Sequence, residues 1–274
     1  MRKHLRLSIQ LLLTLGTMGF LLACQSLASK PDPGAQVALA PTGTLRAAIN
    51  FGNPILANRA ADGAPYGVSV DLARELGKRL NVPVELRTFT SAGQVVEALK
   101  SNQVDVAFVA IDPDRGRDVI YSAPYVIIEG AYVVKQTSPI RRNEEVDRTG
   151  VRIAVGKGSA YDLYLQRELK QAQLVHAPTS PLVVDLFVAQ NLEVAAGVRQ
   201  QLEADAQRIP GLRLLDGRFM VIQQAMGTPK VRGDAGVAYL RSYIEGMKAS
   251  GFVAEALKRH HIEGAGVAPL ENSP

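Results

Sequence analysis

Segments typical of β-strands alternate with segments typical of α-helices from residue 44 to residue 262, and this alternation constrains the fold more than any other feature. The run VDVAFVAI (104–111) has almost no polar alternation, which is typical of a strand covered on both faces. In SVDLARELGKRLN (69–81), leucines recur every fourth residue and predict a helix with one apolar stripe. The sequence therefore predicts an α/β fold with mainly parallel strand pairing.

The alternation runs through two successive units. The predicted strands cover residues 44–49, 82–89, 104–111, 125–134, 151–156, 172–177, 192–198, 212–216 and 218–228. The predicted helices cover residues 69–81, 91–103, 159–169, 181–191, 200–208, 235–251 and 252–262. The pattern restarts after the polar stretch SPIRRNEEVDRTG (138–150). Two α/β units of about a hundred residues each indicate two domains.

The chain begins with three basic residues followed by an apolar run at 7–22. The run is short for a membrane span, which needs about 20 predominantly apolar residues, and its order is that of a secretory signal. It ends in Leu-Leu-Ala-Cys, which resembles the lipobox of bacterial lipoproteins. This resemblance implies a signal peptide at 1–23 and lipidation of Cys24. The alternative interpretation is a buried helix with an incidental cysteine.

The composition of the chain behind this leader excludes several classes of protein. The formal net charge of +5 loses three units with Arg2, Lys3 and Arg6 and falls to +2. No basic patch with interleaved aromatic residues is present, so a nucleic-acid partner is disfavoured. Cys24 is the only cysteine, which excludes an intramolecular disulfide. Residues 24–42 are rich in Pro, Ala and Ser and predict a flexible tether.

Four segments, taken in order, resemble the type 2 periplasmic solute-binding proteins, in the amino-acid-binding branch that serves ABC transporters. They are DGAPYGVSVDLARELGKRLNVPVEL, VVEALKSNQVDVAF, DPDRGRDVIYSAPY and GVRIAVGKGSAYD. The resemblance covers about residues 43–262 and is weaker in its second half. No single motif decides the matter, but the ordered set identifies the family.

The resemblance implies a two-lobe periplasmic binding protein-like fold of type II, with two mixed sheets, flanking helices and a two-strand hinge. Lobe 1 is expected at 43–134 plus 226–262, lobe 2 at 135–225, and a polar C-terminal tail at 263–274. Ligand binding closes such lobes around the cleft between them.

The same resemblance implies the partners and the location of the protein. We expect a monomeric receptor, without a cofactor and not an enzyme, that delivers a small-molecule ligand to an ABC transporter permease. It would be periplasmic and held at the membrane by the lipid on Cys24, since two or more acyl chains anchor a protein stably.

Arg115 is the principal candidate for ligand binding. It follows the carboxyl end of the predicted buried strand 104–111, where ligands of open α/β sheets lie. It also matches the arginine with which the family holds the carboxylate of its ligand, and a guanidinium can donate two parallel bonds to a carboxylate. The alternative interpretation is a salt bridge to Asp112, Asp114 or Asp118.

Three further segments supply candidate ligand contacts. They are Asn50, Phe51 and Asn53 after the first strand, Ile111 and Asp112 beside Arg115, and Gly158, Ser159 and Ala160 in the second lobe. Ser159 is expected at a helix N-terminus, where unpaired N–H groups favour an anion. An ordinary serine N-cap is the alternative for this residue.

The chain departs from the family pattern where an α-ammonium group would bind. Asp112 replaces the usual threonine, and Asn53 lies nearest the usual aromatic residue. Val198 stands where the family places an acidic residue. Because a buried ammonium group without a carboxylate is costly, its partner has moved, to Asp112 or Glu193, or is absent. The ligand is therefore predicted to be a small polar carboxylate, not necessarily an α-amino acid.

A periplasmic enzyme on the same fold is the second functional hypothesis. Dehydratases that act on cyclic carboxylic acids share this architecture, and fold alone does not determine function. Such an enzyme needs a general base in the cleft, for which Glu193 and Asp112 are the candidates. No metal site is predicted, because the adjacent His260 and His261 point to different sides of a helix.

Overall fold

The computed structural model describes residues 32–271, in which strands and helices alternate. The strands are β1 (Leu45–Asn50), β2 (Asn58–Arg59), β3 (Pro65–Tyr66), β4 (Val84–Phe89), β5 (Val106–Ala110), β6 (Val119–Lys135), β7 (Arg152–Gly156), β8 (Gln173–Ala177), β9 (Val194–Val198), β10 (Leu212–Leu214), β11 (Met220–Pro229) and β12 (Gly266–Val267). The helices are α1 (Pro33–Leu39), α2 (Val68–Leu80), α3 (Ala92–Lys100), α4 (Ala160–Glu168), α5 (Val183–Ala189), α6 (Arg199–Arg208), α7 (Gly233–Ala249) and α8 (Phe252–Arg259).

Two long strands, β6 and β11, run through both lobes and make the sheet continuous. The strand order is β4-β1-β5-β11-β6-β9-β7-β8, with β10 and β12 also paired to β6. In lobe 1, β1 lies parallel to β4 and β5, and in lobe 2, β7 lies parallel to β8 and β9. The expected fold is confirmed. The two expected mixed sheets join into one because β6 forms hydrogen bonds in each lobe.

Apolar stripes on the helices cover both faces of this sheet. Leu72, Leu76 and Leu80 of α2 are fully buried, as their spacing predicts. Burying one such side chain contributes about 1.5–3 kcal/mol. In lobe 2, α5 buries Val184 and Phe187 in the same way. The core of each lobe therefore fixes the ends of the strands that border the cleft.

The strand β6 begins at Val119, six residues before the predicted start at 125. Its first residues pair with the end of β11, with Val119 opposite Pro229 and Tyr121 opposite Gly227. The β-bulges near Ala225 accommodate Pro124, which has no N–H to donate to the ladder. A proline within an apolar segment usually argues against a strand, which is why this part was not predicted.

The predicted tether contains α1, which packs against the body of the protein. Asp32 caps this helix by accepting bonds from the backbone N–H groups of Gly34 and Ala35. Ala35 and Leu39 are fully buried, and Leu39 lies against Gly236 of α7. The flexible-tether prediction is therefore wrong for residues 33–39. An alanine- and valine-containing stretch with a good N-cap gains enough apolar burial on α7 to fold as a helix.

The predicted polar tail is also structured in its first part. The strand β12 pairs antiparallel with β6, and the Lys248 ammonium group donates to the carbonyl of Pro269 over 2.8 Å. These bonds fix residues 266–269 on the sheet. The predicted signal peptide at 1–23 and Cys24 lie outside the described residues. No helix within 32–271 is long and apolar enough to span a membrane.

Candidate functional site

A cavity of about 40 Å³ lies between the lobes, at the carboxyl ends of β1 and β5. The N-terminus of α4 and the middle of β11 close it from the other sides. Its lining residues are Asn50, Gly52, Asn53, Ala92, Val109, Ala110, Arg115, Ser159, Ala160, Tyr161, Ser180, Val198, Ile222 and Gln224. The position agrees with the rule for ligand sites in open α/β sheets.

Arg115 lies in a 3₁₀ turn after β5 and is only 5% exposed. Its Nη1 donates to the carbonyl of Ala110 over 3.1 Å, and its Nη2 donates to the carbonyl of Gly158 over 2.7 Å. Desolvation by burial lowers the pKa of Arg115. An arginine nevertheless stays protonated in proteins, so the cavity holds a buried positive charge.

The carboxylates proposed as alternative partners of Arg115 are engaged elsewhere. Asp112 Oδ1 accepts the backbone N–H groups of Asp114 and Arg115, while its Oδ2 pairs with Arg167 at 3.0 Å. Asp114 pairs with Arg117 and Arg167, and Asp118 lies 3.9 Å from the ammonium group of Lys100. Within residues 32–271, the Arg115 guanidinium has no salt bridge. Asp112 instead holds the backbone that positions Arg115.

The loop Gly156–Ser159 of lobe 2 packs against lobe 1. Gly158 has φ +70° and a Cβ there would lie 3.2 Å from Cα of Gly93, so a side chain would be both strained and crowded. The Asp162 carboxylate accepts the N–H of Gly158, and the Ser159 hydroxyl caps α4 by accepting the N–H of Asp162. The N–H groups of Ala160 and Tyr161, ahead of the capped Asp162, have no partner within the helix and are therefore available to an anion.

The segment after β1 contributes two asparagines to the cavity. Asn50 Oδ1 accepts the N–H of Gly52 over 2.9 Å and fixes the turn. Asn53 lines the cavity, and its Oδ1 is buried without a hydrogen-bond partner among the described residues. Phe51 lies outside the lining, and its ring contacts the guanidinium of Arg59 at 5.0 Å. The turn thus offers amide groups, not an aromatic face, to the cavity.

Five predicted site residues do not line the cavity. Phe51 packs with Arg59, Ile111 is 38% exposed, and Asp112 pairs with Arg167. Glu193 lies at the start of β9 and bonds to Arg152 at the start of β7. Because the cavity lies at the opposite ends of these strands, Glu193 is too far away to reach it. Gly158 contributes only its carbonyl, through Arg115, while Asn50, Asn53, Arg115, Ser159 and Ala160 line the cavity together.

Gln224, which sequence reasoning missed, lines the cavity together with Tyr161. Gln224 lies on β11 and is buried, so a glutamine inside an apolar crossing strand was the signal for it. Tyr161 is buried at the start of α4, and burial raises the pKa of its hydroxyl, which keeps it neutral at pH 7. Ser180, on the turn before α5, adds a further hydroxyl.

The described lining residues carry one positive charge, on Arg115, and are otherwise uncharged. The remaining polar groups are amides and hydroxyls. No group of His, Cys, Asp and Glu suited to a metal ion occurs within residues 32–271. Chemically, the cavity can hold a small anion in a pocket with neutral donors and acceptors around it.

Two α/β lobes, crossed twice by the chain and enclosing a cavity at the carboxyl ends of their strands, define a periplasmic-type solute-binding protein. The chain belongs to the bacterial extracellular solute-binding proteins, family 3, which it matches over residues 45–262. The family predicted from the sequence is thereby confirmed.

Individual relatives share only low sequence identity with this chain. The chain is 27% identical over 152 residues to the L-cystine-binding protein TcyJ of Escherichia coli (strain K12). The aligned region covers 55% of this chain and 57% of the relative. The match thus spans just over half the length of that relative.

Solved structures support the fold. The solute receptor for L-cysteine of Neisseria gonorrhoeae superposes with a TM-score of 0.72 at 21% identity, over 84% of this chain and 94% of the other. An ancestral amino acid-binding protein, a precursor of cyclohexadienyl dehydratase, superposes with a TM-score of 0.69 at 19% identity, over 82% and 97%.

Proposed function

We propose that the protein is the receptor of an ABC importer and binds a small carboxylate-bearing solute of the amino-acid type between its lobes. The buried guanidinium of Arg115 is the observation that carries this proposal, because a charge taken out of water requires a partner. The three acidic residues that the sequence offered as its partners, Asp112, Asp114 and Asp118, pair with other cations. A carboxylate from the solute would supply the missing anion through charge-assisted hydrogen bonds.

The amino-acid type of the solute is supported by what the relatives bind. One is named as an L-cystine-binding protein and another as a receptor for L-cysteine. Their low identity to this chain leaves the particular solute open. The first N–H groups of α4 and the hydroxyls of Tyr161 and Ser180 offer further hydrogen bonds to a polar solute of this size.

Solute entry requires the lobes to separate. A cavity of about 40 Å³ has room for only a few water molecules, so a larger solute enters an open form and closes the lobes around it. The crossing strands β6 and β11 are the elements about which the lobes would rotate. The closed form is the one that an importer permease would recognise, and the proposed lipid on Cys24 would keep the receptor at the membrane.

A dehydratase on this fold is the second candidate, favoured by the neighbour that is a precursor of such an enzyme. A general acid–base reaction needs a titratable group within hydrogen-bond reach of the substrate. Glu193 and Asp112, which the sequence suggested for that role, pair with arginines outside the described lining. We therefore propose a binding protein and not an enzyme.

A thermal-shift screen of the mature chain tests this function, with Cys24→Ser so that no lipid is attached. The panel contains the standard amino acids, L-cystine, dicarboxylates and cyclic carboxylates. A ligand at 100 times its Kd adds about 2.7 kcal/mol of stability, which raises the Tm of a chain this size by roughly 5–10 °C. The shift should disappear in Arg115→Ala and persist in Arg117→Ala, whose side chain is 79% exposed. A shift that survives Arg115→Ala would contradict the proposal.

A further inference from the structure

The segment that follows α8 leaves lobe 1, touches lobe 2 and then returns to lobe 1. Glu263 and Gly264 lie against Gln200, in the first turn of α6 in lobe 2. The strand β12 then pairs with β6 at Val126 and Ile127, in the lobe 1 part of that strand. Residues 260–269 are called the C-terminal strap below. The strap joins the lobes at a place separate from the crossing strands β6 and β11.

The beginning of the C-terminal strap is fixed to two helices of lobe 1. Nε2 of His260 lies 2.8 Å from Oδ2 of Asp71 on α2. The same oxygen accepts a hydrogen bond from Nη1 of Arg259 at 2.7 Å. The N–H of Ile262 donates to the carbonyl of Leu257 on α8 over 2.9 Å. The strap therefore starts from a point that is rigid relative to lobe 1.

The end of the strap is held by a buried lysine on α7. The Lys248 side chain is 1% exposed, and its Nζ lies 2.6 Å from Oε1 of Glu245. The same Nζ donates to the carbonyl of Pro269 over 2.8 Å. The N–H of Ala268 donates to the carbonyl of Tyr125 on β6 over 3.1 Å. Because a buried ammonium group is costly without partners, the bond to Pro269 ties the strap firmly to lobe 1.

The middle of the strap meets lobe 2 beside the hinge. Nε2 of Gln200 donates to the carbonyl of Glu263 over 3.3 Å. Gly264 has φ +69°, and a Cβ there would lie 3.1 Å from the same Nε2. Glycine thus permits the close approach of the two lobes at this point. Gln200 comes just after Val198, which pairs with Gly130 on the crossing strand β6.

Rotation of the lobes about the crossing strands would separate the two sides of this contact. Gln200 turns with lobe 2, whereas both ends of the strap stay with lobe 1. A hydrogen bond of 3.3 Å is already long, so a displacement of about 1 Å breaks it. We propose that the C-terminal strap holds Gln200 in the closed orientation of lobe 2 and so shifts the equilibrium between the open and closed forms toward the closed one. This role is independent of which solute binds.

An engineered disulfide between the strap and α6 provides the first test. Cys24 is the only cysteine, so the mature chain with Cys24→Ser is a background without thiols. A Cβ at position 264 would lie 3.6 Å from Cγ of Gln200, which suits the Cβ spacing of about 3.5–4.5 Å in disulfides. The double variant Gln200→Cys with Gly264→Cys is compared by small-angle scattering in its oxidised and reduced states, without solute.

The reduced double variant should have the larger radius of gyration, because only the oxidised one is kept from opening. Equal radii in the two states would overturn the proposed role of the strap. Failure of the pair to form a disulfide under oxidation would overturn it as well, since the contact would then not be populated. This comparison needs no solute, so silence in the thermal-shift screen would count against the proposed function and leave this test in force.

Single variants test the contact and its anchor separately. Gln200→Ala removes the donor on lobe 2, and Lys248→Met removes the anchor of the strap while keeping the length of the side chain. Each should raise the radius of gyration and weaken the affinity for a solute found in the screen by about fivefold, as for the loss of one hydrogen bond.

The matched control is Lys258→Met, at an exposed position of α8, which should behave as the wild type. Gln200→Ala covers a folding failure of Lys248→Met, because it leaves the strap and its anchor intact. A wild-type radius of gyration in Gln200→Ala would overturn the role of the strap.

Discussion

The Nη2 atom of Arg115 donates to the carbonyl oxygen of Gly158 across the cleft, over 2.7 Å. The same guanidinium donates to Ala110 at the end of β5 in lobe 1. One planar group therefore joins the core of lobe 1 to the loop that begins α4 in lobe 2. A solute carboxylate bound to this group would touch the element that links the two lobes, so solute binding and lobe closure would share one residue.

The first prediction concerns the shape of this cation. Arg115→Lys keeps the charge but replaces a planar fork with five donors by an ammonium group with three, too few for both carbonyls and both oxygens of a carboxylate. We expect solute affinity to fall by about tenfold to a hundredfold, the equivalent of one or two charge-assisted hydrogen bonds. Calorimetry with the best solute of the screen measures it. Arg117→Lys is the control, and equal affinity of Arg115→Lys and wild type would contradict the bidentate role.

The second prediction concerns an ion-pair latch between the lobes, formed by Arg167 with Asp112 and Asp114. Arg167 belongs to α4 in lobe 2, while both acids belong to lobe 1. Removing a partly exposed pair costs about 1 kcal/mol, so Arg167→Ala should weaken solute affinity about fivefold by favouring the open form. Small-angle scattering should show a larger radius of gyration for the variant with solute present at subsaturating concentration.

Salt provides an independent check on this latch. Ionic strength screens partly exposed pairs, so the wild-type affinity should decrease with added salt and that of Arg167→Ala should decrease less. Arg117→Ala removes a pair that lies wholly within lobe 1 and should behave as the wild type. Identical salt dependence in wild type and Arg167→Ala would show that the pair does not influence closure.

The sequence predicted the elements well because each carries a local signal, such as the leucine spacing of α2 or the continuous apolar run of β5. Arg115 was predictable because its place after a buried strand is itself a local property. Glu193 precedes β9, and the rule that places ligands beyond carboxyl ends already argued against it. Ser180 had no such signal, because only the tertiary fold brings the turn before α5 to the cavity beside Arg115.

The third prediction concerns α1, which the sequence assigned to a flexible tether. Leu39 is fully buried against α7, so Leu39→Ala removes core packing and should destabilise the protein by about 2–5 kcal/mol. Val37, on the same helix, is 71% exposed, and Val37→Ala should change stability by less than about 0.5 kcal/mol. Urea denaturation measures both. Equal midpoints for the two variants would mean that α1 does not pack in solution, and solute affinity should be unchanged in either case.

The fourth prediction concerns the acid stability of the crossing strand β6. The Glu129 carboxylate accepts hydrogen bonds from Arg218 at 2.7 Å and from Arg199 at 2.9 Å. The bond from Arg218 is the largest cause, and together the two bonds hold the pKa of the Glu129 carboxyl below its usual range. A carboxyl with a lowered folded-state pKa stabilises the fold fully above its unfolded pKa of about 4.3. That stabilisation is lost as the pH falls through the lower, folded-state value.

The expected outcome is a difference in Tm that depends on pH. Glu129→Gln should melt about 2 °C below the wild type at pH 6–7, since one partly exposed ion-pair cluster contributes about 0.5–1 kcal/mol. The gap should close as the pH falls below about 4, because the wild-type carboxyl then becomes neutral like the glutamine. Glu203→Gln, at an exposed position of α6, should match the wild type throughout. A gap that persists at pH 3 would mean that Glu129 stabilises β6 by packing and not through its charge.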